Sequence, residues 1–155
     1  SDRLGLERFE TMQNHYSLLY REEEREMLPY TQKKSVGVMP WSPLARGYLA
    51  RPHEDLETTA RGQSEADADR HPYLEKGGRE VNERVEELAA EKDLEMAQIA
   101  LAWLFEKDAV DAPIVGTTSI EHLEDAVEAL SVSLSSSEME YLEEPYEPVE
   151  VSGHR

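Results

Sequence analysis

The sequence predicts an α/β fold in which parallel strands alternate with helices. Three observations predict it. Short apolar runs recur along the chain, and each ends in turn residues. Stretches with apolar residues at helical spacing separate them. The spacing also suits crossovers: Asn14 and Trp41 are 27 positions apart, close to the ~30 residues of one strand-helix-strand unit.

The elements follow in order. Phe9 to Asn14 is short, β-prone and bounded by charge, so it reads as a strand. Arg21 to Lys34 reads as a helix with glutamates early (Glu22, Glu23, Glu24, Glu26) and lysines in its last turn (Lys33, Lys34). That order complements the helix dipole. Met27, Leu28 and Thr31 form its apolar face, and Pro29 marks either a kink or a late start. Val36 to Trp41 is a continuous apolar run, the pattern of a parallel strand buried on both faces. Residues 52–78 are polar and rich in Gly, Asp and Pro, which predicts a long mobile loop. Glu80 to Glu91 and Met96 to Glu106 are the next helices. The first presents Val81, Val85 and Leu88, and the second Ile99, Ala100, Trp103 and Leu104. Ala112 to Gly116 is a third strand candidate. A helix carrying Ile120, Leu123, Val127 and Leu130 follows, with Thr118 and Glu121 placed for a capping box. Ser135 and Glu138 open a last short helix that Pro145 ends. Three strands do not close a barrel, so the pattern describes a small open sheet or a piece of something larger.

Composition excludes several function classes. The 34 acidic and 16 basic residues give a formal charge of -18. Such a chain repels nucleic acid and anionic membrane surfaces, since both are bound through Lys and Arg. Molar salt shortens the Debye length to roughly 3 Å and screens this self-repulsion, so the composition suits a halophilic protein. The other reading is a partly disordered acidic segment, against which stand the 39% hydrophobic content and the periodic stretches. Cysteine is absent, which removes disulfides and thiol chemistry. No run is apolar enough to span a bilayer and Ser1 to Leu4 does not open a secretory leader. The expected location is cytoplasmic.

In a parallel α/β fold, ligands meet the carboxyl ends of the strands. Gln13 and Asn14, Trp41 and Ser42, and Gly116, Thr117 and Thr118 stand there. This set supplies carboxamides, a flat ring, hydroxyls and a glycine, with no strong acid, base or nucleophile. The turn at 116–119 fits a plain helix N-cap, or a phosphate site formed by free N–H groups at a helix start. Trp41 is either core or a platform for a planar ring, and Arg46 either a surface charge or a phosphate contact. The five histidines, His15, His53, His71, His122 and His154, lack metal-ligand spacing and read as surface or turn residues. The Glu22-Glu23-Glu24 run reads as a solvated face, and Trp103 with Ile99 as core.

Taken together, three stretches resemble the aldo-keto reductase superfamily, in particular its bacterial and archaeal members. They are Met12 to Arg21, Gly37 to Gly47, and Pro113 to Ser119 continued by Glu121 to Asp125; Leu142 to Tyr146 also resembles the family's ending. The resemblance implies strands six to eight of a (β/α)8 TIM barrel. Residues 1–155 are then a single partial domain, the C-terminal segment of such a barrel. It further implies NADP as cofactor and a small-molecule carbonyl substrate reduced by hydride transfer. Gln13 would bond the nicotinamide carboxamide and Trp41 would stack under the ring. Ser42, Leu44 and Arg46 would line the pyrophosphate. Gly116, Thr117 and Thr118 would meet the 2'-phosphate region, and His122 and Asp125 the adenine end.

Departures qualify this inventory. Ala126 stands where relatives carry an adenine-binding Asn, His122 where many carry Arg, and Gly116 where many carry Lys. The resemblance thus implies a looser hold on the 2'-phosphate, with NAD as the alternative cofactor. The family's catalytic Asp, Tyr, Lys and His belong to the first half of the barrel. Tyr16, Tyr20, Tyr30 and His15 do not match their motifs, so no catalytic residue and no metal ligand is assigned. The chain alone is expected to be inactive, as a truncated piece or as the partner of a separate N-terminal half. A non-catalytic nucleotide-binding module and a decayed fragment are the alternatives.

Overall fold

The computed structural model describes residues 1–58 and 73–151. The part of the expected loop at 59–72, with His71, lies outside the described residues, as does His154. Two strands pair in parallel, β1 (Thr11–Met12) and β2 (Gly37–Val38), with Thr11 opposite Gly37 and Met12 opposite Val38. Backbone bonds extend this ladder in both directions. Gly37 N donates to Glu10 O at 2.8 Å, Met39 N to Met12 O at 2.9 Å, and Trp41 N to Asn14 O at 2.8 Å.

The expected third strand does not complete a ladder. Ala112 N donates to Val38 O at 3.3 Å and Ile114 N to Pro40 O at 2.8 Å, so the segment runs beside β2. In a parallel ladder the bond returned between these two would come from residue 40, and Pro40 has no N–H. The Val38 N–H is taken instead by the Asp111 carboxylate at 2.7 Å. Nor is this segment buried on both faces, since Ala112, Ile114 and Gly116 are exposed.

The helix expected over 21–34 divides in two. Glu22–Arg25 forms a 3-10 turn, Glu26 leaves helical geometry at φ -141°, and α1 covers Met27–Lys34. In one continuous helix the Pro29 ring would collide with the carbonyl of residue 25. In the first turn of α1 its missing N–H has no consequence. The acidic run is not wholly a solvated face either. Glu22 is buried and accepts from the Tyr146 hydroxyl at 2.8 Å and from Val149 N at 2.9 Å.

A 3-10 helix occupies His53–Thr58, and α2 spans Gly78–Lys92, so both ends of the expected loop are ordered elements. Backbone crowding demands the glycines before α2: a Cβ on Gly77 would lie 1.7 Å from Pro145 O, and one on Gly78 1.8 Å from Tyr73 O. The next helix, α3 (Met96–Phe105), is apolar on every side but for Gln98 and nearly every residue is buried, as befits a central helix. Its start is closed by a Glu95–Gln98 capping box. Trp103 and Ile99 lie in the core as expected, beside Tyr16, Leu18, Leu19, Val81 and Val85.

Helix α4 (Ile120–Glu128) packs on α3 but presents its apolar stripe outward. Ile120, Leu123, Val127 and Leu130 are all exposed, Ile120 to 76%. The Thr118–Glu121 capping box does not form; Ser119 is the N-cap residue and makes no side-chain cap bond. Thr117 Oγ1 instead accepts from Ser119 N at 3.1 Å. The last helix, α5 (Ser136–Glu143), carries the expected Ser135–Glu138 box and ends before Pro145. A hydrogen bond from Lys92, supported by those of the Ser135 cap, holds the Glu138 carboxyl down at about 2. Among the described residues no helix is long and apolar enough to cross a membrane, and no cluster of His, Asp or Glu could hold a metal ion.

Candidate functional site

A cavity of about 690 Å³ opens where the segment after β2 meets residues 114–118 and α4. Its lining includes Ser42, Leu44, Arg46, Gly116, Thr117 and Thr118, with His122 and Asp125 from α4. These are eight of the ten residues singled out from sequence. Gln13 and Trp41 lie outside the lining, at the carboxyl ends of the β1 and β2 runs. Both are exposed.

The backbone of the wall is unusual. Ser42, Ala45 and Arg46 have φ of 54°, 46° and 58°, a left-handed geometry that costs roughly 1–2 kcal/mol per non-glycine residue. Such strain persists where the surroundings over-determine it, and it collects at ligand sites. Here the surroundings are tight turn bonds, Ala45 N to Ser42 O at 2.9 Å and Gly47 N to Leu44 O at 2.8 Å, with Ala45 itself fully buried.

Sequence reasoning missed the residue that anchors the far end of this loop. Asn82, on α2 and wholly buried, donates to Tyr48 O at 2.5 Å and to Arg51 O at 3.0 Å, and accepts from His53 N at 2.9 Å. The available signal was a carboxamide directly beside Val81 on the buried face of α2. Also missed was Arg51, a second cation lining the cavity, whose Nε is buried with no hydrogen-bond partner among the described residues. Glu95 and Leu56 line it too. Gly116 needs no special backbone, and a Cβ there would meet nothing within 4 Å. The space beside it is open among the described residues.

At the strand ends, Trp41 is not core; it is 38% exposed. His15 is the reverse of expectation, only 5% exposed. The two face each other across the sheet as a parallel bridge, and their rings stack at 4.1 Å. Asn14 turns inward, donating to Glu23 at 2.7 Å, which leaves Gln13 as the outward carboxamide.

The cavity and the two strand ends together offer a flat ring, an outward carboxamide, two arginines and a strained loop. Over residues 5–147 the chain matches the model of the aldo/keto reductase family. The chain belongs to the aldo/keto reductase family. A protein of Schizosaccharomyces pombe named as an aryl-alcohol dehydrogenase is 45% identical over 99% of this chain and 43% of its own length. An aldo-keto reductase of Fusarium vanettenii is 39% identical over 97% of this chain and 40% of its own length. The versiconal hemiacetal acetate reductase of Aspergillus parasiticus is 42% identical over 94% of this chain and 43% of its own length. The chain therefore spans less than half the length of these curated relatives. A crystal structure of a thermostable aldo-keto reductase with the inhibitor epalrestat superimposes with a TM-score of 0.60 at 28% identity, covering 87% of this chain and 39% of that one. The fold is thus a partial (β/α)8 TIM barrel of the aldo/keto reductase type, with two paired strands among the described residues.

Proposed function

We propose that this chain is the C-terminal segment of an NADP(H)-dependent aldo-keto reductase and supplies much of its cofactor-binding wall, with NAD(H) as the alternative cofactor. One observation carries the reading: a single cavity gathers Ser42, Leu44, Arg46, Gly116, Thr117, Thr118, His122 and Asp125 from separate stretches of chain. The donor set fits a dinucleotide. The Arg46 and Arg51 guanidinium groups, both lining the cavity, suit phosphate oxygens. The exposed Trp41 ring suits the flat nicotinamide and Gln13 its carboxamide. His122, Asp125 and the 116–118 turn take the adenosine end. When bound, the cofactor would supply the hydride that reduces an aldehyde or ketone. The residues of this chain hold and orient it, and the proton donor comes from the first half of the barrel.

The exposed stripe on α4 favours a further reading, in which the chain pairs with that first half, whether joined to it or separate. Alone it is then inactive. A cytoplasmic site of action and an adaptation of the acidic surface to high salt complete the proposal. Calorimetric titration of NADPH and NADH into the chain, beside Arg46→Ala, tests the binding claim. Saturable NADPH binding that weakens in the variant is the expected result. Indifference to Arg46→Ala, or robust aldehyde reduction by this chain alone, overturns it.

A further inference from the structure

His15 is buried between two aromatic rings. Tyr20 stacks on it at 4.0 Å with planes 10° apart, and Trp41 stacks on its other face at 4.1 Å and 14°. Tyr73 meets it edge-on at 5.9 Å and 85°, with its hydroxyl 2.9 Å from His15 Nε2. Each layer is fixed by the backbone. Tyr20 and Ser17 exchange two main-chain bonds, at 3.0 and 3.1 Å, and Trp41 N donates to Asn14 O at 2.8 Å. The column Tyr20–His15–Trp41 is closed at the Tyr20 end, which is 1% exposed, and open at Trp41, which is 38% exposed.

Filling a core does not require a histidine here. Phe or Leu would bury as well without a ring nitrogen to satisfy. The Tyr73 bond fixes the rotation of the imidazole plane, and the plane of a stacked ring sets the tilt of its neighbour. Tyr73 stands just before α2, so the end of the β2–α2 connection is tied to the platform.

We propose that His15 is a positioning residue of the cofactor site: clamped by Tyr73, it sets the plane of the Trp41 indole on which the nicotinamide ring lies. The proposal rests on the cofactor-wall reading above, and its test separates the two. The readout compares NADPH with 2'-phospho-ADP-ribose, which keeps the phosphates and adenosine but lacks nicotinamide. Dissociation constants of both are measured for the full chain, for His15→Ala and for Tyr73→Phe, with far-UV CD confirming the fold. The expected result is that His15→Ala weakens NADPH by about 5- to 10-fold and Tyr73→Phe by about 3-fold, the scale of one aromatic contact and one neutral hydrogen bond. Both should bind 2'-phospho-ADP-ribose as the parent does. Equal loss for both ligands, or none for either, overturns the positioning role. If His15→Ala does not fold, Tyr73→Phe decides by the same criterion. A parent chain that binds neither ligand removes the cofactor-wall reading and this proposal with it; one that binds 2'-phospho-ADP-ribose as tightly as NADPH keeps that reading and overturns the platform.

Discussion

The Arg21 guanidinium donates to the Glu143 carboxylate at 2.9 Å across 122 residues of chain. Lys107 and the Trp103 indole N–H, the latter at 2.8 Å, reach the other oxygen of the same carboxylate. Burial pushes this carboxyl up, but the hydrogen bond from Lys107 and the charge of Arg21 outweigh it and hold Glu143 below the usual carboxylate range. The unfolded chain therefore takes up this proton first. Stability is full above about pH 4.3, the ordinary Glu value, and falls as pH drops through that value towards the folded one. Urea unfolding followed from pH 7 to pH 3 checks this. In Glu143→Gln the pH dependence should flatten, with a loss at neutral pH of about 1–3 kcal/mol, because Arg21 and Lys107 lose their charged acceptor.

Asn82 carries three bonds to the segment 48–53, and its replacement leaves Tyr48 O, Arg51 O and His53 N without it. Asn82→Leu should cost about 2 kcal/mol by urea unfolding. It should also weaken any ligand held by Arg51, measured as a raised NADPH dissociation constant.

Gly116 is expected to be neutral for folding and important for binding. No atom of the described residues lies within 4 Å of a Cβ placed on it, so Gly116→Val should leave CD and the urea midpoint unchanged. If the cofactor occupies that space, the same substitution should raise its dissociation constant about tenfold or more, at least ~1.4 kcal/mol. Unchanged affinity would place the cofactor elsewhere.

Leu123 and Val127 are exposed on α4. The double variant Leu123→Lys/Val127→Lys should keep its unfolding midpoint within about 0.5 kcal/mol. Sedimentation across a concentration series should show less association than for the parent chain. A large loss of stability would instead show that this face is covered within the chain.

With a formal charge of -18, raising KCl from dilute to molar should increase helicity and the thermal midpoint by far-UV CD, because salt screens like-charge repulsion. A fold indifferent to salt would sink the halophilic reading.

Helices were the most legible part of the sequence. Local spacing determined α2, α3 and α5 to within about two residues, and the Ser135–Glu138 box and Pro145 gave both ends of α5. The three strand-end stretches also determined the family and eight of the residues that line one cavity. Tertiary structure decided the rest. Whether Ala112 to Gly116 completes a strand depended on the missing N–H of Pro40, a partner 72 positions from Ala112. His15, unremarkable in sequence, became the centre of an aromatic column because Tyr20, Trp41 and Tyr73 converge on it from separate places in the chain. The stripe on α4 is apolar by spacing, and only packing showed that no part of the described chain covers it. Periodicity is a property of neighbours along the chain, whereas burial, ring stacking and ladder closure depend on residues that only folding brings together.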